Sequence, residues 1–118
     1  MQKNKGLIRI LKAARYSWQG ICAAYLWEAA FRQEFWAAVV MIPLAFWLDV
    51  SSVERILLIA SVLLVLVVEL LNSAIEALVD RVGTDYHELS GRAKDMGSAA
   101  VFIALGITAV TWGIVIFS

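Results

Sequence analysis

Charge and apolarity separate into blocks along the chain. Phe35 to Leu48 runs fourteen residues without a charge (FWAAVVMIPLAFWL), Ile56 to Ile75 runs twenty with Glu69 as its one charge, and Met96 to Ser118 runs twenty-three with none. A helix crossing a bilayer needs ~20 mainly apolar residues. The second and third blocks reach that length alone. The first reaches it by borrowing Ala29, Ala30 and Phe31 across Arg32 and Glu34, and a long Arg side chain can snorkel to the interface. Pro43 removes a backbone donor, a defect that membrane helices tolerate. The pattern predicts an all-α membrane protein with three spans, carried on helices at about 29–48, 55–82 and 90–117.

The first 27 residues follow another rhythm. At 100° per residue, Leu7, Leu11, Ala14, Trp18, Ile21, Cys22 and Tyr25 share one side, and Lys5, Arg9, Lys12, Arg15 and Gln19 another. A basic face beside a Trp-bearing apolar face suits a helix lying in the membrane interface. Packing on partner helices of an oligomer is the alternative. No continuous apolar run precedes a cleavage site, so a signal peptide is not expected. Between the second and third spans, Gly83 is expected to end a helix, 83–88 to turn, and Ser90 to cap the next helix, with Ala93 leaving the capping box incomplete.

Composition sharpens this picture. The chain has 118 residues, 62% of them hydrophobic and 17% charged, with a mean hydropathy of +0.80; soluble domains hold roughly 45–50% apolar residues. One small domain has too much surface to bury that excess against itself. A soluble monomer is therefore excluded. Ten basic residues balance ten acidic ones, which argues against nucleic-acid binding. Their placement matters more than their sum. Lys3, Lys5, Arg9, Lys12 and Arg15 precede Glu28, Arg81, Arg92 and Lys94 lie in 76–95, and Arg55 alone lies in 49–55. The positive-inside rule then puts the N-terminus and the 76–95 loop in the cytoplasm, and the C-terminus outside. Cys22 and His87 are single, so one chain offers no His- and Cys-based zinc site.

The candidate chemistry lies in 69–80, ELLNSAIEALVD. Glu69, Asn72, Ser73, Glu76 and Asp80 share one helix face, with Glu69 ~10 Å deeper than Glu76. A carboxylate in a span costs roughly 2.5–3.5 kcal/mol. Glu69 is either paired across an oligomer interface or a proton acceptor that desolvation brings towards neutral pH. Glu76 and Glu28 lie at the cytoplasmic interface, where two carboxylates suit a hard divalent ion that keeps waters and phosphates; an i,i+4 pair of Glu28 with Arg32 is the structural alternative. Lys94 and Asp95, beside Gly91 and Gly97, suit phosphate and metal, or form a solvated juxtamembrane pair. His87 reads as a polar loop residue. No phosphate-binding G-x-x-x-x-G-K-[ST], dinucleotide or kinase catalytic-loop motif is present.

The run VELLNSAIEALVDRVGTDYHELSGRAKDMGSAA at 68–100, with EAAFRQE at 28–34, FWLDV at 46–50 and RILKAARYSWQG at 9–20, closely resembles the prokaryotic diacylglycerol kinase family over nearly the whole chain. The resemblance implies transfer of phosphate from MgATP to diacylglycerol in the bacterial inner membrane, giving phosphatidic acid, by a homotrimer with active sites shared between subunits. It implies Glu69 as the base, Asn72 as the residue that positions Glu69 or the transferring phosphate, and magnesium on Glu28 and Glu76. Nucleotide contacts fall to Arg9, Tyr16, Asp85, Tyr86, His87, Lys94 and Asp95. Lipid contacts fall to Arg9, Ala13, Ala14, Ser17, Trp18, Ala30, Arg32, Gln33, Glu34, Trp47, Asp49, Arg55, Glu69, Ser98 and Trp112. Pro43 and the bulky Phe35-Trp36 pair bear on the packing of the first span. An undecaprenol kinase of the same family is a close variant. A small proton-coupled exporter, which also uses one membrane Glu, is disfavoured by three spans and by a polar face that continues into a charged loop. A non-catalytic membrane oligomer is the remaining reading.

Overall fold

The computed structural model describes residues 5–83 and 87–118; the predicted contacts at Asp85 and Tyr86 lie outside these. Four helices follow one another: α1 Lys5–Trp27, α2 Ala29–Trp47, α3 Ser52–Val82 and α4 Glu88–Phe117. α2, α3 and α4 are each long and apolar enough to cross a membrane, so the chain is a multi-pass membrane protein. α2 stays one helix through Pro43.

Two helix starts come earlier than the sequence reading placed them. α3 begins at Ser52 rather than near 55, because Ser51 Oγ accepts from the Glu54 backbone N–H at 3.1 Å and the Glu54 carboxylate accepts from the Ser51 N–H at 2.9 Å. This reciprocal box satisfies two otherwise orphaned donors. α4 begins at Glu88 rather than 90, and its cap is His87, not Ser90. The His87 Nδ1 accepts from the Leu89 N–H at 3.1 Å, and Gly91 N–H donates to the His87 carbonyl at 2.9 Å. Gly83 closes α3 as expected, its N–H bonded back to Val79.

The core runs along one stripe of α3. Leu58, Ser61, Val62, Val65 and Glu69 are its buried residues, with Leu58, Val62, Val65 and Glu69 spaced 3–4 apart as one helix face requires and Ser61 beside them. Leu58 and Val62 pack with Ala38 and Ala45 of α2 and Trp112 of α4. Small residues at such contacts let membrane helices approach closely. Polar bonds tie α4 to α3 within the apolar layer: Thr108 Oγ1 donates to the Ser61 carbonyl at 2.9 Å and Trp112 Nε1 to the Leu58 carbonyl at 3.2 Å. In hydrocarbon such groups need a protein partner.

α1 stands apart. Ala24 is its one buried residue. The molecule measures 48 × 46 × 22 Å, and its second long dimension exceeds the ~20–30 Å width of three packed helices, so α1 runs out sideways from the bundle. Its C-terminal end is anchored. Arg32 Nη1 donates to the carbonyls of Tyr25 at 2.7 Å and Leu26 at 3.1 Å, and Trp36 Nε1 donates to the Tyr25 hydroxyl at 2.9 Å. Phe35 packs edge-on against both Tyr25 and Trp36. The Phe35-Trp36 pair thus fixes the joint between α1 and α2.

Candidate active site

The buried stripe of α3 turns polar at Glu69 and stays polar through Asn72, Ser73 and Glu76. Glu69 is 4% exposed, the one buried acid among the described residues. Glu28 forms the single-residue break between α1 and α2, with extended backbone (φ −118°, ψ 108°) and no capping bond from its side chain. This joint brings its carboxylate to α3. Glu69 lies within the field of Glu76 and Glu28, and Glu34 within that of Glu69. Glu28 of the joint, Glu34 of α2 and Glu76 of α3 thus lie around Glu69. The alternative partner for Glu28 is not used, since the Arg32 guanidinium is turned to the end of α1.

Asn72 Nδ2 donates to Glu76 Oε1 at 3.0 Å. A carboxylate only accepts, so this bond fixes which end of the carboxamide faces Glu76. The other end, Asn72 Oδ1, is buried without a partner, as are Ser73 Oγ and Glu34 Oε2. Buried polar atoms are normally paired; Asn72 Oδ1 is instead packed against Gly97 of α4, whereas Ser73 Oγ borders a cleft beside α1. Among the described residues, no three His, Cys, Asp or Glu side chains enclose a metal ion by themselves. Two neighbouring carboxylates with hard oxygen donors nearby still fit magnesium, which commonly takes one or two carboxylates and completes its shell with phosphate and water.

Lys94 of α4 faces this region across the helix pair. Its Nζ donates to Asp80 Oδ1 at 2.7 Å. That hydrogen bond, with the charges of Asp80 and Glu76 adding to it against partial desolvation, holds the ammonium above its ordinary value. Both partners are well exposed, so the bridge orients Lys94 more than it stabilises the fold. Asp95 and Ser98 are exposed on the same helix. A cleft of about 570 Å³ opens between α1 and α3, lined by apolar side chains with Ser17, Glu28 and Ser73 as its polar members.

Other predicted residues lie elsewhere in the single chain. Tyr16 and Arg9 sit ~18 and ~28 Å up α1 from Glu28 at 1.5 Å per residue. Ala13, Ala14, Ser17 and Trp18 are exposed on α1, and Ala30 and Gln33 on α2. Trp47 and Asp49 are exposed at the α2–α3 turn. Arg55 there donates to the Ala45 and Leu48 carbonyls, closing the end of α2 rather than pointing at lipid. Trp112, also predicted to touch lipid, lies inside the single chain. It is 7% exposed, packed in the core and bonded at the level of Leu58, ~16 Å along α3 from Glu69. His87 spends its Nδ1 on the α4 cap. Sequence reasoning missed Asp80 as the partner of Lys94, and Gly97, whose backbone abuts Asn72. A small residue in a span is the only sequence signal for the latter.

The sequence pattern of the family described as prokaryotic diacylglycerol kinase matches residues 15–116. A relative from Escherichia coli (strain K12) named diacylglycerol kinase is 60% identical over 113 residues, covering 96% of this chain and 93% of its own. One of the same name from Haemophilus influenzae is 53% identical over 117 residues, covering 99% of both. Another from Helicobacter pylori is 45% identical over 111 residues, covering 94% of this chain and 87% of its own.

Proposed function

The chain belongs to the prokaryotic diacylglycerol kinase family, and from that premise we propose that it transfers the γ-phosphoryl group of ATP to the free hydroxyl of diacylglycerol, giving phosphatidic acid, at the cytoplasmic face of a bacterial inner membrane. The observation that carries this reading is the buried Glu69 at the head of a polar ladder that rises through Asn72 to Glu76.

Each rung has a task. Glu69 lies where a lipid hydroxyl arrives from the bilayer, and takes its proton as the hydroxyl oxygen bonds to the γ-phosphorus. The bond from that phosphorus to the β-bridging oxygen breaks, and ADP leaves. There is little covalent work for the protein in such a displacement, so positioning and charge neutralisation dominate. Magnesium, when bound with ATP, supplies neutralisation of the phosphate charge, and Glu28 and Glu76 are the residues that would hold it. Asn72 restrains the Glu76 carboxylate through its hydrogen bond. Lys94, oriented by Asp80, offers a positive charge to the phosphates, with Asp95 beside it.

Arg9 and Tyr16 lie far up α1 from Glu28 within one chain. Their contact with nucleotide therefore asks for a site composed between subunits, which supports a homotrimer. The N-terminus is cytoplasmic and the C-terminus outside, as the basic residues suggest. Family membership leaves the exporter reading without support.

The test is the purified protein in mixed micelles with labelled ATP, magnesium and either diacylglycerol or undecaprenol. Labelled phosphatidic acid at the higher turnover is expected. Faster labelling of undecaprenol, or no lipid product at all, would overturn the reading.

A further inference from the structure

We propose that Gly97 is a positioning residue of the transfer site: lacking a side chain, it leaves the space on α4 that the Asn72 carboxamide needs to bond Glu76. This rests on the lipid-kinase reading above and assigns a task to a residue outside its chemistry.

Gly97 is buried on α4. A Cβ built there meets Asn72 before anything else. Its nearest neighbour is Asn72 Oδ1, far inside contact distance, followed by Asn72 Cγ at 3.3 Å and Cβ at 3.8 Å. Gly106 and Gly113 on the same helix would meet nothing within 4 Å. The close approach thus sets Gly97 apart from Gly106 and Gly113. The atom in the way is the tip of a side chain with two rotatable bonds. A methyl group at 97 is accommodated by turning Asn72, and the helix backbones need not part.

The turn has a chemical cost. With Nδ2 donating to Glu76 and Oδ1 seated against Gly97, the carboxamide has one orientation that satisfies a carboxylate. Displacing Oδ1 swings Nδ2 away from Glu76. Glu76 then loses its restraint, and the metal and phosphates that it serves lose their register. Loss of such an orienting partner typically costs 10–100-fold in metal affinity or activity.

The experiment compares wild type, G97A, G106A, G113A, N72A and the double variant N72A/G97A. Lipid phosphorylation in mixed micelles is followed against magnesium concentration, with thermal inactivation measured alongside. G97A is expected to lower kcat by about 10–100-fold and to raise the magnesium needed for half-maximal rate. Its thermal midpoint should match those of G106A and G113A, both of which keep wild-type kinetics. In the N72A background G97A should bring no further loss, since the group it displaces is gone. Wild-type kinetics in G97A, or an equal loss from G97A with and without Asn72, overturns the proposal. If G97A does not accumulate as folded protein, the double variant decides. A folded double variant with N72A-level rates upholds the clash with Asn72, and an unfolded one overturns it. A wild type that transfers no phosphate to lipid sinks the underlying reading instead, an outcome distinct from all of these.

Discussion

One stripe of α3 does two jobs. From Leu58 to Val65 it is dry and satisfied: Leu58 and Val62 pack with Ala38, Ala45 and Trp112, and the carbonyls of Leu58 and Ser61 accept bonds from Trp112 and Thr108. From Glu69 to Glu76 the same face carries a buried acid and two polar atoms without partners. Both halves obey the same periodicity. They differ in whether the protein completes its own bonding. The first half is a finished interface that holds α4. The second is left unfinished, as the proposed transfer of phosphate to a lipid hydroxyl would require, and the finished half sets the rotation and register at which it is presented.

The sharpest way to break this comparison is Glu69→Gln. Glutamine is near-isosteric and uncharged, so the stripe should pack at least as well while the proton acceptor disappears. A fall of about 10²–10⁴-fold in lipid phosphorylation, with an undiminished thermal midpoint, is expected; wild-type rates would remove Glu69 from the chemistry. Trp112→Ala attacks the other half. A soluble core would lose ~3–5 kcal/mol. Here about 2–3 kcal/mol is expected, because lipid solvates apolar groups in the loosened state. Denaturation in mixed micelles measures this, and the folded fraction should keep its Mg-dependence. A variant that stays stable but inactive would move Trp112 into the site.

Glu28→Gln and Glu76→Gln act next. Each should raise the magnesium needed for half-maximal rate by about 10–100-fold, no less than the loss of an outer partner; unchanged titrations would refute both ligand roles. The smallest effect belongs to Ser51→Ala at the α2–α3 turn, about 1 kcal/mol with no change in rate. Its pH dependence has a definite sign. The Ser51 backbone N–H first, and its hydroxyl second, hold the Glu54 carboxyl below its ordinary 4.5. The box therefore contributes fully above that value and fades as pH falls through the lower folded one. Denaturation midpoints of wild type and Glu54→Gln, whose neutral amide stands in for the protonated acid, should converge on acidification, and a constant gap would mean that the Glu54 charge carries none of it.

Much of this was legible in the sequence because it is local. Charge-free blocks give the spans, and the spacing from Glu69 to Glu76 gives a shared face. The S-x-x-E at 51–54 was equally legible, and it starts α3 before the apolar block that drew attention. His87 was less so, since an imidazole cap depends on the backbone turning just ahead of α4. Trp112 was open to either reading, because an aromatic residue in a span looks the same facing lipid or protein.

By itself, then, the sequence determined the spans, the end of the bundle that gathers most of the charge, and the one acid left among apolar residues. These follow from transfer costs and helical periodicity, which act on each segment separately. Tertiary structure decided which groups meet. Glu28 reaches α3 through a one-residue joint, Lys94 finds Asp80 across a helix pair, and Gly97 gives way to Asn72. Such contacts depend on the rotation and register of one helix against another, and those are set by packing summed over the whole interface rather than by any single segment.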